Sequence, residues 1–224
     1  MPRTLDDARR WARLGTELFL GAVGTGSDEP SALPGWTRAH LVAHVAANAD
    51  ALGNLVHWAA TGEPTPMYAS PEERAQGIER GRALPAAELA TWLRHSADAL
   101  DKGMDALGEG EWRARVVTAQ GRTVPAAEVP WLRAREACVH AVDLATTVTF
   151  ADLPDDFLKA LCDDVVAKRS AAPGPAVTLR TPTAAWDLPG EGEPRLVTGE
   201  LPDLAAYLTG RGTGPGAPVL GPWL

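Results

Sequence analysis

The stretch over residues 37–60 contains no proline, and at about 100° per residue it gathers Leu41, Val45, Leu52, Leu55 and Val56 into one sector. An apolar stripe of that kind has to be buried against other helices, so the chain is committed to a packed helical layer. His44 and Asn48 stand in or at the edge of the same sector. Asp50 and His57 point to the opposite side, and His40 lies farther around the flank. The helix thus turns one histidine inward and another outward, which apolar packing alone does not require.

Other helices read at the same period. One starts after Thr4, an N-cap residue, with Asp6 and Asp7 in the first turn and Leu5, Trp11, Leu14 and Leu18 at helical spacing. Residues 24–35 read as a loop. Ser70-Pro71-Glu72-Glu73 reads as a capping box with proline at the first helical position. That helix breaks at Leu84-Pro85 and resumes over 86–107. A short hairpin is expected within 112–124, turning at Gln120-Gly121. A further helix is expected over 126–149, with Pro130 moving its start a few residues later, and another from after Pro154 to about Ser170.

After Pro173 the texture changes to short, turn-bounded strand candidates at 176–180, 185–188 and 195–198, then a helix over 202–209. The expected class is α+β: an N-terminal helical domain followed by a small C-terminal α/β domain. The boundary falls between Phe150 and Pro173, giving residues 1–150 to the bundle and 151–224 to a linker helix and the smaller domain.

The helix expected over 126–149 repeats the anomaly of the first. Val129, Leu132 and Val139 mark its inward face, and Glu136, His140, Asp143 and Thr147 lie within that face. A buried carboxylate is costly unless it is paired or coordinates a metal. Glu136 and His140 are four residues apart and neighbour each other on one surface. His44, Glu136 and His140 are therefore a candidate three-ligand set, which in catalytic zinc sites leaves a fourth position open. Asp143, one turn beyond His140, is placed to accept a hydrogen bond from a ligating ring. The same residues also admit a plainer account, since an inward histidine is often a satisfied core residue and a Glu-x-x-x-His pair an ordinary ion pair. Spacing alone leaves both open.

Composition narrows the function classes. A formal net charge of −8 offers no basic stripe for phosphates and argues against nucleic-acid binding. No apolar run is long enough to span a bilayer, and the first ten residues lack a signal peptide's apolar core, so no membrane association and a cytoplasmic location are expected. Cys138 and Cys162 cannot build a cysteine-rich zinc site, and two free thiols are expected in a reducing compartment. Cys138 points away from the Glu136–His140 face, Cys162 reads as a small apolar core residue, and His57 and His95 read as solvated.

The run GWTRAHLVAHVAANADAL at residues 35–52 resembles the metal-binding helix of mycothiol-dependent maleylpyruvate isomerases, and RAREACVHAVDL at 133–144 resembles their second ligand helix. These enzymes belong to the DinB-like four-helix-bundle superfamily, and many carry a small α/β C-terminal domain. The resemblance implies that His44, Glu136 and His140 are metal ligands and that His40 is a neighbour of the site. YLTGRG at 207–212 resembles the family's closing helix, which makes Arg211 the match for a functional arginine.

What the resemblance implies is cis-to-trans isomerisation of maleylpyruvate to fumarylpyruvate, in aromatic breakdown through gentisate. Rotation about a carbon–carbon double bond needs a nucleophile to add first, and a metal that lowers a thiol's pKa supplies the thiolate near neutrality. The expected cofactors are a divalent metal, zinc by ligand type, and mycothiol. The expected partners are a small dicarboxylate substrate and mycothiol, with Arg211 holding a substrate carboxylate and the protein a monomer. Two rivals stay open: a mycothiol S-transferase acting on another electrophile, and a non-enzymatic metal-binding regulatory module.

Overall fold

The computed structural model describes residues 3–24, 28–214, 216–221 and 223, which form two compact units, Arg3–Val148 and Thr149–Leu224. In the first unit, α1 (Leu5–Ala22) begins at Thr4, whose hydroxyl accepts the Asp7 N–H while the Asp7 carboxylate accepts the Thr4 N–H. Helix α2 (Arg38–Thr61) ends at Gly62, in the left-handed region at φ +78°. Ser70 caps α3 (Pro71–Arg82), Pro85 precedes α4 (Ala86–Asp105), and a single turn, α5 (Glu109–Trp112), leads into the hairpin of β1 (Arg115–Val117) and β2 (Thr123–Pro125).

Helix α6 (Val129–Asp143) follows a 3-10 turn over Ala126–Glu128. Helices α1, α6, α2 and α4 pack in that order around a four-membered ring, and α3 flanks α2. Leu41, Leu52, Leu55, Leu93, Val129 and Phe19 are buried between them. Each such side chain contributes about 1.5–3 kcal/mol on leaving water. The approach of α1 to α6 is set by Gly15, where a Cβ would stand 2.6 Å from Cys138 Sγ and 2.9 Å from Cys138 N. Only glycine lets the two backbones meet there.

Helix α6 stops at Asp143 rather than continuing to residue 149. Nothing local announces the stop. Ala145 takes a left-handed conformation at φ +53°, and the freed carbonyls are met from elsewhere in the chain. The Ala32 N–H donates to the Asp143 carbonyl at 2.8 Å, and the Arg38 guanidinium donates to the carbonyls of Leu144 (2.9 Å) and Ala145 (3.1 Å). Thr147, read as inward-facing, consequently lies beyond the helix and is exposed.

In the second unit, α7 (Asp155–Arg169) packs on α8 (Leu201–Leu208) and on a three-stranded sheet of β3 (Pro175–Arg180), β4 (Ala185–Leu188) and β5 (Glu191–Thr198), ordered β4-β3-β5. Strand β4 runs antiparallel to β3, and β5 runs parallel to it on the other side. The link from β4 to β5 crosses the start of β3 at Gly190, where a Cβ would stand 2.3 Å from the Gly174 carbonyl oxygen. The Arg169 Nε–H donates to the Leu208 carbonyl and ties α7 to the end of α8. The chain is α+β, and among its described residues no helix is long and apolar enough to cross a membrane.

Candidate metal centre

The sequence places His44 in the second turn of α2, seven residues past its Thr37 cap. That cap is unusual. The position that normally carries Glu or Gln is His40, whose Nδ1 accepts the Thr37 N–H at 3.0 Å and lies 2.8 Å from the Thr37 hydroxyl. Its Nε2 is 3.5 Å from Glu79. His40 is thus spent on starting the helix that carries His44.

Helix α6 brings Glu136 and His140 against His44. Glu136 Oε2 is 3.0 Å from His44 Nε2 and 3.4 Å from His140 Nε2, and the three donor atoms lie within 4.8 Å of one another. Bonds of about 2.0–2.1 Å to a tetrahedral ion put ligand atoms roughly 3.3 Å apart, so the set fits a zinc-like cation with slight ring movement. Both histidines are buried, and their rings meet edge to face with centroids 4.9 Å apart. Trp36 walls the site, T-shaped to His44 at 5.6 Å and stacked on His40 at 5.9 Å.

Asp143, wholly buried, accepts a hydrogen bond from His140 Nδ1 at 2.8 Å. This fixes the ring so that Nε2 faces Glu136. Burial alone would raise the Glu136 carboxyl, but hydrogen bonds from the two imidazoles hold it well below the usual carboxylate range. For His140, burial is outweighed by the hydrogen bonds to Asp143 and Glu136, which lift it to about 9. His44 goes the other way: burial lowers it, only partly opposed by Glu136. It is neutral and ready to ligate near neutrality.

Two arginines strap the ligand helices together in opposite senses. Arg38 of α2 holds the end of α6, as described above. Arg133 of α6 is 2% exposed and donates through Nη1 to the Val45 carbonyl (2.8 Å) and to Asn48 Oδ1 (3.1 Å) of α2. Burial pulls its guanidinium down to about 10, so it stays charged at neutral pH. Asn48 is legible inside the stripe, but its partner is not, because an arginine in such a sequence reads as a solvated residue. Arg74 of α3 is hidden in the same way; its Nη2 lies 3.4 Å from His44 Nδ1 and its guanidinium over the Tyr68 ring at 5.9 Å.

Neither cysteine is equipped as a nucleophile. Both are free and buried, and burial pushes each thiol up to about 12. His57 and His95 are exposed. Arg211 belongs to the second unit, where its guanidinium donates to the Thr209 carbonyl at 2.6 Å.

The family described as the mycothiol maleylpyruvate isomerase N-terminal domain matches residues 7–145, a span that contains His44, Glu136 and His140. The chain belongs to that family. Among solved structures, one of the mycothiol-dependent maleylpyruvate isomerase is 40% identical, with a TM-score of 0.89 over 98% of this chain and 96% of that one. A structure of a histidine-to-alanine variant of the same enzyme is 39% identical with the same TM-score and coverage. No curated protein matches the chain significantly. Family membership extends past the bundle in this case, since the solved isomerase aligns along nearly the whole chain.

Proposed function

We propose that this protein is an enzyme that isomerises maleylpyruvate to fumarylpyruvate, with a divalent metal and mycothiol as cofactors. The observation that carries the proposal is the buried His44–Glu136–His140 set, in a chain 40% identical over 98% of its length to a mycothiol-dependent maleylpyruvate isomerase. A divalent cation in that set supplies a lowered thiol pKa, and so a thiolate near neutral pH. Addition of a thiol to the double bond, rotation and elimination interchange cis and trans without consuming the thiol.

The chain's own residues support that chemistry in separate ways. Asp143 keeps the His140 proton on Nδ1 and leaves Nε2 facing inward. His44 and Glu136 complete a donor set of two imidazoles and one carboxylate, which suits zinc. Trp36 shields the His44 side from solvent. With both thiols of the chain raised to about 12, the nucleophile has to come from outside. Arg211 is proposed to hold a substrate carboxylate, a role supported by its Gly-Arg motif; Arg211→Ala is expected to raise KM for maleylpyruvate with metal content unchanged. An acidic net charge supports an enzyme that does not bind nucleic acid, and a monomeric cytoplasmic protein is proposed with it.

The test follows the isomer conversion by absorbance at substoichiometric mycothiol, then weighs the thiol by mass spectrometry. Many turnovers per thiol are expected. Equal conversion without thiol refutes the proposal, and a stable thioether adduct assigns the protein to thiol transfer instead.

A further inference from the structure

Helix α3 carries three arginines in a strongly charged sequence, and two of them do what such arginines ordinarily do. Arg80 pairs with Glu73 at 2.5 Å, and Arg82 pairs with Glu79 at 2.7 Å. Arg74 follows Glu72 and Glu73 directly, yet takes neither; no carboxylate among the described residues lies within ion-pair distance of its guanidinium. It turns instead toward α2, half-buried, and rests between the Tyr68 ring and His44 Nδ1.

That contact depends on which ring nitrogen of His44 carries the proton. A guanidinium has only donors, so Arg74 bonds His44 only while Nδ1 is an acceptor and the proton sits on Nε2, toward Glu136. A neutral imidazole that ligates a metal through Nε2 carries its proton on Nδ1. Two donors would then face each other, and the bond seen at 3.4 Å without metal would be lost. With Nε2 given to a metal, Arg74 would stand as a charged fork beside the ligand set, braced by Tyr68 and with no carboxylate of the described residues within ion-pair distance. His140 has the reverse arrangement, with a carboxylate behind its ring. The two ligating histidines thus have opposite charges at their backs.

We propose that Arg74 is the residue that takes a carboxylate of the substrate at the His44 side of the metal centre, through the paired N–H donors of its guanidinium. The proposal rests on the isomerase reading for the identity of the dicarboxylate. The carboxylate-binding property itself is independent of turnover. An anion seated there sets the double bond beside the open metal position and selects acidic substrates over neutral ones of the same shape.

The experiment uses the full-length protein loaded with cobalt in place of zinc, and two probes that need no catalysis. Maleate, a cis-dicarboxylate, is titrated calorimetrically; 2-mercaptoethanol is followed by the sulfur-to-cobalt absorption band. Arg74→Gln is expected to weaken maleate binding roughly 10- to 100-fold, with cobalt content and the thiol band unchanged. Arg74→Lys keeps the charge but loses the fork and should fall between. Maleate affinity unchanged in Arg74→Gln overturns the proposal. Loss of cobalt or of the thiol band in that variant also overturns it, because Arg74 would then serve to support His44. If maleate binding depends on Arg74 but maleylpyruvate is not isomerised, the carboxylate site stands and the isomerase reading falls.

Discussion

Asp143 Oδ2 and His140 Nδ1 are 2.8 Å apart on one turn of α6, and the carboxylate in that pair has no exposure to solvent. A buried carboxylate behind a ligating imidazole raises its basicity and fixes its tautomer. Asp143→Ala is expected to lower zinc affinity about 10- to 100-fold. Asp143→Asn, which can still accept through its amide oxygen, should lose less. Competition against a chromophoric chelator measures both, and equal affinity in wild type and Asp143→Ala would show that the pair is merely structural.

Removing any one donor of the set should be more severe than removing its support. His44→Ala, Glu136→Ala and His140→Ala each leave two donors and should fail to retain a stoichiometric ion through dialysis. His57→Ala, an exposed change on the same helix as His44, should retain it. Elemental analysis of the four variants decides the matter. Full occupancy in the first three would exclude this centre.

The acidity of His140 gives the site a signed pH dependence. In the metal-free protein the ring is protonated up to about 9, so a cation has to displace a proton. Apparent zinc affinity should rise by up to about tenfold per pH unit from roughly pH 7 to pH 9, then level off. Folding stability should run oppositely. A pKa lifted above the ordinary histidine value of about 6.5 stabilises the metal-free fold fully below that pH, and the contribution disappears as pH rises through about 9. Denaturation of the metal-free protein at a series of pH values, with His140→Ala as the control, should reveal that decline only in the wild type.

Gly15 offers a test of the bundle that leaves the donor residues untouched. A methyl there meets Cys138 Sγ at 2.6 Å and the Cys138 backbone at 2.9 Å, so α1 and α6 have to separate. Gly15→Ala should cost about 1–3 kcal/mol despite alanine's better helix propensity. A thermal melt that moves upward would mean the helices have room to spare.

Much of this organisation was readable from residue spacing, and the exceptions share a cause. The start of α2 at Thr37, the Ser70 cap and the Leu84-Pro85 break are local signals, and they lie where expected. The clustering of Glu136, His140 and His44 was legible because all three interrupt apolar stripes. The end of α6 was not, since Arg38 and Ala32, remote in sequence, supply its cap. The parallel pairing of β5 with β3 turns on the close crossing at Gly190, which no alternation of side chains reveals. Arg74 and Arg133 escaped notice because an arginine in a charged or mixed helix reads as solvent-facing until its partners are seen.

The opposed straps of Arg38 and Arg133 have a consequence for which ions the centre admits. Because arginines from each helix of the pair grip main-chain carbonyls at the other, the spacing between His44 and His140 is held by contacts made without any ion. Calcium, which demands six to eight oxygen neighbours at 2.3–2.6 Å, would need that spacing to widen and more oxygens than Glu136 brings. Magnesium would have to surrender water for nitrogen, which it does reluctantly. A centre of two imidazoles and one carboxylate, held by three arginine–carbonyl contacts that touch no ligand atom, would therefore disfavour the two commonest divalent ions of a cell.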